Sequence, residues 1–113
     1  MKKILVTGSR SFNRSDLVWK YFLKQKEPFM IIHGGAKGAD SIATAYAIQN
    51  RIEQKVIRPI YPSKKEYYLH RNAEMIGMCD KVVAFWDGKS RGTQFTIRYA
   101  KKRYKDVDVI KDD

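Results

Sequence analysis

The segment His33-Gly34-Gly35-Ala36-Lys37-Gly38-Ala39-Asp40 restricts this chain more than any other. An apolar run, Pro28-Phe29-Met30-Ile31-Ile32, precedes it, and a helical pattern from Ser41 to Arg51 follows. The order is strand, glycine loop, helix. Gly34, Gly35 and Gly38 leave the backbone bare and admit φ > 0 at little steric cost. Amides in such a loop can approach a ligand closely, and the next helix turns its positive end toward it. A phosphate or another anion suits that arrangement. Asp40 is expected to N-cap the helix. Without a ligand the same loop is a tight strand-to-helix connection. It is not the dinucleotide fingerprint G-x-G-x-x-G. Gly88-Lys89-Ser90 matches the end of a Walker A loop, but the glycine required five positions before Gly88 is Val83. An ordinary P-loop nucleotidase is therefore excluded.

The other segments repeat this alternation. Lys3 to Thr7 is a short, nearly continuous apolar run, as in a strand buried on both faces of a parallel sheet. It ends in Gly8-Ser9-Arg10-Ser11. A helix opens at Ser15 or Asp16, buries a stripe of Leu17, Val18, Tyr21 and Phe22, and stops at Glu27-Pro28. The second strand runs from Phe29 to His33. The second helix, from about Asp40 to Arg51, is expected to sit close to the sheet through Ala43, Ala45 and Ala47 and to turn Ile42, Ala45, Ile48 and Ile52 inward. Lys55 to Ile60 predicts a third strand, and Ser63 to Met78 a helix, or two turns followed by a helix, with Tyr68, Asn72, Met75, Ile76 and Cys79 on one face. Lys81 to Trp86 is the clearest buried strand and feeds a second glycine loop, Asp87 to Thr93. A last helix carries Thr93, Ile97, Ala100 and Tyr104 at helical steps, and Val107 to Ile110 predicts a final strand. Strands alternating with helices through short connections predict one α/β domain over residues 1–113. Its sheet is Rossmann-like, open and mainly parallel, with helices on both faces. Ligands in such sheets sit beyond the carboxyl ends of the strands. The Gly8 turn and both glycine loops follow strands, so they are expected to gather there.

Charge narrows the partners. The chain has 23 basic and 12 acidic residues, a net charge of +11. That field attracts phosphorylated ligands or nucleic acid. No apolar run reaches membrane-spanning length. The single cysteine, Cys79, excludes an internal disulfide framework and, with no signal-peptide pattern, points to the cytoplasm. His33, His70 and Cys79 lack metal-ligand spacing, so no metal is expected.

Taken together, Val6-Thr7-Gly8-Ser9-Arg10, the His33–Asp40 segment, Arg71-Asn72 with Met75, Ala84-Phe85-Trp86-Asp87-Gly88 and Ser90-Arg91-Gly92-Thr93 resemble the YspA/YpsA-related branch of the SLOG superfamily. The resemblance runs from Lys3 to about Ile110. More distant relatives are the LOG phosphoribohydrolases and the DNA-processing protein DprA. It implies a Rossmann-like fold, a nucleotide or nucleotide-derived ligand and self-association. LOG enzymes carry R-x-x-x-M and P-G-G-x-G-T-x-x-E. Arg71 and Met75 match the first; Gly92 and Thr93 match part of the second. The proline and first glycine of the second are altered, to Asp87 and Lys89 or nearby. The glutamate position is Thr96, and a threonine cannot serve as that acid or base.

The expected ligand site comprises Gly8, Ser9, Arg10, Gly34, Gly35, Lys37, Gly38, Arg71, Asn72, Gly88, Ser90, Gly92 and Thr93. Arg10 and Arg71 can grip a phosphate, and Ser90, Gly92 and Thr93 can form an anion nest at a helix start. The candidate catalytic carboxylates are Asp40 and Asp87. Trp86 is a candidate for stacking on a base, and His33 is a structural hydrogen-bonder. The resulting expectation is a homo-oligomeric sensor or binding protein for a nucleotide-like ligand, including ADP-ribose- or NAD-related molecules. The alternatives are a LOG-like hydrolase of an N-glycosidic or phosphate bond and a DprA-like binder of single-stranded nucleic acid.

Overall fold

The computed structural model describes residues 1–58 and 65–112. The elements run β1 (Lys2–Gly8), α1 (Ser15–Leu23), β2 (Phe29–His33), α2 (Ala39–Asn50), β3 (Gln54–Val56), α3 (Lys65–Met78), β4 (Lys81–Trp86), α4 (Arg91–Lys102) and β5 (Asp106–Lys111). The sheet order is β3-β2-β1-β4-β5, and every pairing is parallel. From β1 the chain winds outward through β2 and β3, then crosses to the other side for β4 and β5. The reversal between β1 and β4 is the switch point of a doubly wound sheet.

Strand period explains the two-sided core. Ile4 and Val6 of β1, Ile31 of β2 and Val83 and Phe85 of β4 pack with α1 and α2. Their neighbours Leu5, Ile32 and Val82 pack on the opposite face with Met75 and Ile76 of α3 and Ala100 of α4. Adjacent strand residues point to opposite faces, so the unbroken apolar runs are what a sheet covered on both sides requires. Phe12, in the turn after β1, is 1% exposed and packs on Phe85 at 5.4 Å.

Four expectations are corrected. The inward face of α2 is Ala39, Ala43, Tyr46 and Ala47; Ala45 is exposed and Ile48 is 70% exposed. Alanines at four-residue steps let α2 approach the sheet. Tyr46 meets Trp19 and Phe22 of α1, which turns the isoleucines aside, although Ile42 and Ile52 still pack at the edge. Asp40 does not cap α2: Gly38 holds that position, and the Asp40 side chain serves the preceding loop. β3 is shorter and earlier than Lys55–Ile60, since pairing with β2 runs only from Gln54 to Val56. Residues 59 and 60 of that expected strand, the expected helix start at 63 and 64, and the Tyr68 side chain lie outside the described residues. Finally, Tyr104 is not in the α4 stripe. It follows the helix with φ 59° and is 96% exposed. There Tyr104 N donates to Lys101 O and Lys105 N to Ala100 O, the two bonds of a left-handed helix stop.

A tyrosine pays a steric penalty in that left-handed position that glycine avoids. Tyr104→Gly is therefore expected to stabilise the fold by roughly 1 kcal/mol, read as a higher urea midpoint at unchanged slope.

Candidate functional site

A cavity of about 610 Å³ opens at the switch point. The β1 turn contributes Thr7, Gly8, Ser9, Arg10 and Ser11 to its wall. From α3 come Leu69, Arg71, Asn72 and Met75, and the start of α4 supplies Ser90, Gly92 and Thr93. Ala36 and Asp40 close the wall from the glycine-loop side.

That loop is shaped by Asp40. Its Oδ2 accepts the Gly34 N–H and the Ala36 N–H, each at 3.1 Å. The residue is 6% exposed, and burial raises its carboxyl pKa above the ordinary value. The two amides and the nearby Arg71 charge act against that rise. Arg71, 8% exposed, donates through Nη1 to Gly34 O at 2.8 Å and through Nε to Asn72 Oδ1 at 3.1 Å. It thereby ties α3 to the loop. The guanidinium lies so close over Gly34 that a Cβ there would collide with it. Gly38, at φ 83°, has the Ser9 and Arg10 backbone against the place a Cβ would occupy. These glycines serve contacts within the protein. Gly34, Gly35, Gly38 and Lys37 do not line the cavity, and of the His33–Asp40 segment only Ala36 and Asp40 do.

His33 is 2% exposed. Its Nδ1 accepts the Gly35 N–H at 3.0 Å, so the ring proton sits on Nε2, beside Gln54 Oε1 and Thr44 Oγ1, both at 2.9 Å. With Nδ1 occupied as an acceptor, its 4.0 Å approach to Asp40 Oδ2 is not an ion pair. The imidazole joins β2, α2 and β3.

The second loop is organised by Asp87. Oδ1 accepts the Lys89 and Ser90 amides at 2.8 Å each, and Oδ2 accepts the Ser90 hydroxyl at 2.9 Å. These bonds, the two amides foremost, hold its pKa well below the usual carboxylate range. The Ser9 hydroxyl accepts the Asp87 N–H at 3.0 Å, joining the β1 turn to this loop. Asp87 and Gly88 lie outside the cavity wall. So does Trp86, whose indole N–H donates to Ser90 O, with Lys111 Nζ over its ring at 5.8 Å. Thr96 is fully buried, and its hydroxyl donates to Gly92 O at 3.1 Å. Among the described residues, no group of three or more His, Cys, Asp or Glu side chains is placed to hold a metal ion. Nor is any helix among them long and apolar enough to cross a membrane.

The expected residues thus divide. Gly8, Ser9, Arg10, Asp40, Arg71, Asn72, Ser90, Gly92 and Thr93 converge on one cavity. Val6, Thr7, Ser11, Ala36, Leu69 and Met75 also form the wall and were not among the expected site residues. Leu69, Asn72 and Met75 stand three apart, so helical spacing from Asn72 would have found Leu69.

The model of the YspA, cpYpsA-related SLOG family matches residues 2–60. The Gene 61 protein of Mycobacterium phage D29 is 33% identical over 90% of this chain and 90% of its own length. DNA processing protein A from Streptococcus pneumoniae superposes with a TM-score of 0.83 at 22% identity, over 96% of this chain and 50% of that one. DNA processing protein A from Helicobacter pylori, described with a single-stranded DNA binding mode, gives 0.77 at 23% identity, over 96% and 64%. The protein TM1055 gives 0.76 at 19% identity, over 95% and 72%. At these identities the structural likenesses concern the fold, and this chain spans about half to two thirds of the two DNA processing proteins.

Removing the Asp40 carboxylate strands two loop amides. Asp40→Ala is expected to cost about 2–4 kcal/mol in urea denaturation, and Asp40→Asn, which keeps an acceptor, clearly less. Asp87 gives the pH dependence. Its depressed folded pKa stabilises the fold above about pH 4, and that contribution is lost as pH falls toward the folded value. Asp87→Asn should therefore flatten the acid limb of a stability–pH curve.

Proposed function

This chain belongs to the YspA, cpYpsA-related SLOG family, and from that premise we propose that it binds a nucleotide or nucleotide-derived phosphate ligand in the switch-point cavity, as a ligand-binding or sensor protein. One observation carries the reading: two arginines and the positive end of a twelve-residue helix face one cavity of about 610 Å³. That volume is in the range of small-molecule sites. The first turn of α4 contains no acidic residue, so nothing on the helix itself neutralises its free amides. Ser90, Gly92 and Thr93 at that turn, with Arg10 and Arg71, form the anion-binding end. Val6, Leu69 and Met75 give the apolar surface that a base requires.

Binding without turnover is favoured by what the carboxylates already do. Asp87 is committed to its turn, and the position of the LOG-type glutamate is a threonine bonded within its own helix. A hydrolase reading keeps one supporting observation: Asp40 lines the cavity and its pKa is raised by burial, as a general acid requires.

Gly92 provides the test. No heavy atom beyond its immediate neighbours lies within 4 Å of the place its Cβ would occupy, so Gly92→Leu adds a side chain at the cavity wall without a collision at Cβ. Thermal shifts are measured with mononucleotides, NAD, ADP-ribose and cyclic nucleotides. A ligand at a hundredfold its Kd should stabilise the wild type by about 2.7 kcal/mol. The shift should vanish in Gly92→Leu and shrink in Arg10→Ala, with the ligand recovered unchanged by mass spectrometry. A product that disappears in Asp40→Asn would establish the hydrolase instead. No shift from any of these ligands would defeat the binding proposal.

A further inference from the structure

The outer flank of α4 carries a second groove, of about 250 Å³, that the nucleotide site does not use. It is lined by Arg91, Gln94, Phe95, Arg98, Tyr99 and Lys102. These positions follow the three- and four-residue steps of one helix stripe, beside the stripe of Thr93, Thr96, Ile97 and Ala100 that faces the sheet. The Phe95 and Tyr99 rings lie 5.8 Å apart with planes 28° from parallel, both half-buried in the groove wall. Arg91, Arg98 and Lys102 are exposed. No acidic residue occurs anywhere from Arg91 to Lys105.

Helix electrostatics account for only part of this. Lys101 and Lys102 sit in the last turn, where the helix dipole favours cations. Arg91 sits in the first turn, where the dipole disfavours one, so its charge is not there for the helix. A second copy of the chain is a poor occupant, because both surfaces would be cationic and each chain carries +11. A polyanion is complementary. The ring pair adds a second requirement, since stacking faces have no use for a phosphate but take a base.

We propose that the α4 groove binds single-stranded nucleic acid, its two rings stacking on unpaired bases while Arg91, Arg98 and Lys102 follow the phosphates. From Arg91 to Lys102 the stripe extends roughly 16 Å along the helix axis, room for a short run of nucleotides. A duplex hides its base faces, so it engages the cations alone.

The experiment is fluorescence anisotropy with a labelled mixed-sequence single-stranded 12-mer and its duplex, over a salt series. The wild type should bind the single strand with the tighter Kd. Arg98→Ala, at an exposed position, should lower the magnitude of the log K against log salt slope by about 0.7. Phe95→Leu keeps apolar bulk but removes a ring; it should weaken single-strand binding roughly tenfold at unchanged slope. Circular dichroism melts of both variants establish that they fold. Equal affinity of wild type, Arg98→Ala and Phe95→Leu would overturn the proposal. So would equal binding of duplex and single strand, or loss of binding in Gly92→Leu with Phe95→Leu unaffected, which would put the strand in the cavity.

Discussion

The Asp40 carboxylate and the loop it holds link α2, the glycine loop and α3. One carboxylate oxygen takes the amides of Gly34 and Ala36, and the carbonyl of the same Gly34 takes the Arg71 guanidinium. An acid from α2 and a cation from α3 therefore meet across a single backbone residue, Gly34. The two helices lie on opposite faces of the sheet, so this contact spans its carboxyl edge. Both side chains are nearly buried, and neither charge is tolerable there alone. The loop dipoles separate and satisfy them. His33 extends the lattice through the Gly35 amide to Thr44 and Gln54. Asp40, Ala36 and Arg71 on the cavity wall are thus backed by a set of mutually dependent polar groups, which holds that side of the cavity in place.

The fold was legible because its strands are unambiguous. Ile4-Leu5-Val6 and Val82-Val83-Ala84-Phe85 are apolar at every position, which only a sheet covered on both faces can bury. Helix faces were harder where small residues carried the contact. Alanine gives little hydrophobic signal: Ala43 and Ala47 marked the close approach of α2, but a stripe drawn through its isoleucines included the exposed Ala45 and Ile48 and missed Ala39 and Tyr46. Tyr104 failed for a related reason: helical spacing continues past Lys102, but the backbone turns left-handed there. β3 was misplaced because its pairing, not its composition, decides where it ends.

Legibility of the site followed a different rule. Residues that close a strand or open a helix, such as Ser9, Arg10, Ser90 and Thr93, could be assigned to one edge from topology alone. The glycines could not be sorted in that way. Gly34 and Gly38 answer to Arg71 and to the Ser9–Arg10 backbone, whereas Gly92 faces open space beside the cavity. A glycine demanded by a neighbouring side chain and one with open space around it look identical in a sequence. Only the atom standing where a Cβ would be tells them apart. Asp87 has the same ambiguity: beside a glycine loop it looks like an acid in waiting, yet four donors lie within 3.5 Å of its oxygens.

The commitments of the carboxylates bear on chemistry. Hydrolysis of a glycosidic or phosphate bond needs a group free to exchange a proton with the reacting atoms. Asp87 is held ionised by its turn and lies off the cavity wall, and Thr96 has its hydroxyl spent on Gly92. Asp40 is on the wall, but its two loop bonds need the same oxygen to remain an acceptor. Its other oxygen, Oδ1, can take a proton while Oδ2 keeps both bonds, so the loop constrains where the carboxyl sits rather than whether it is protonated. Binding a ligand asks less of the same groups: the loop, the arginines and the helix start need only stay where they are.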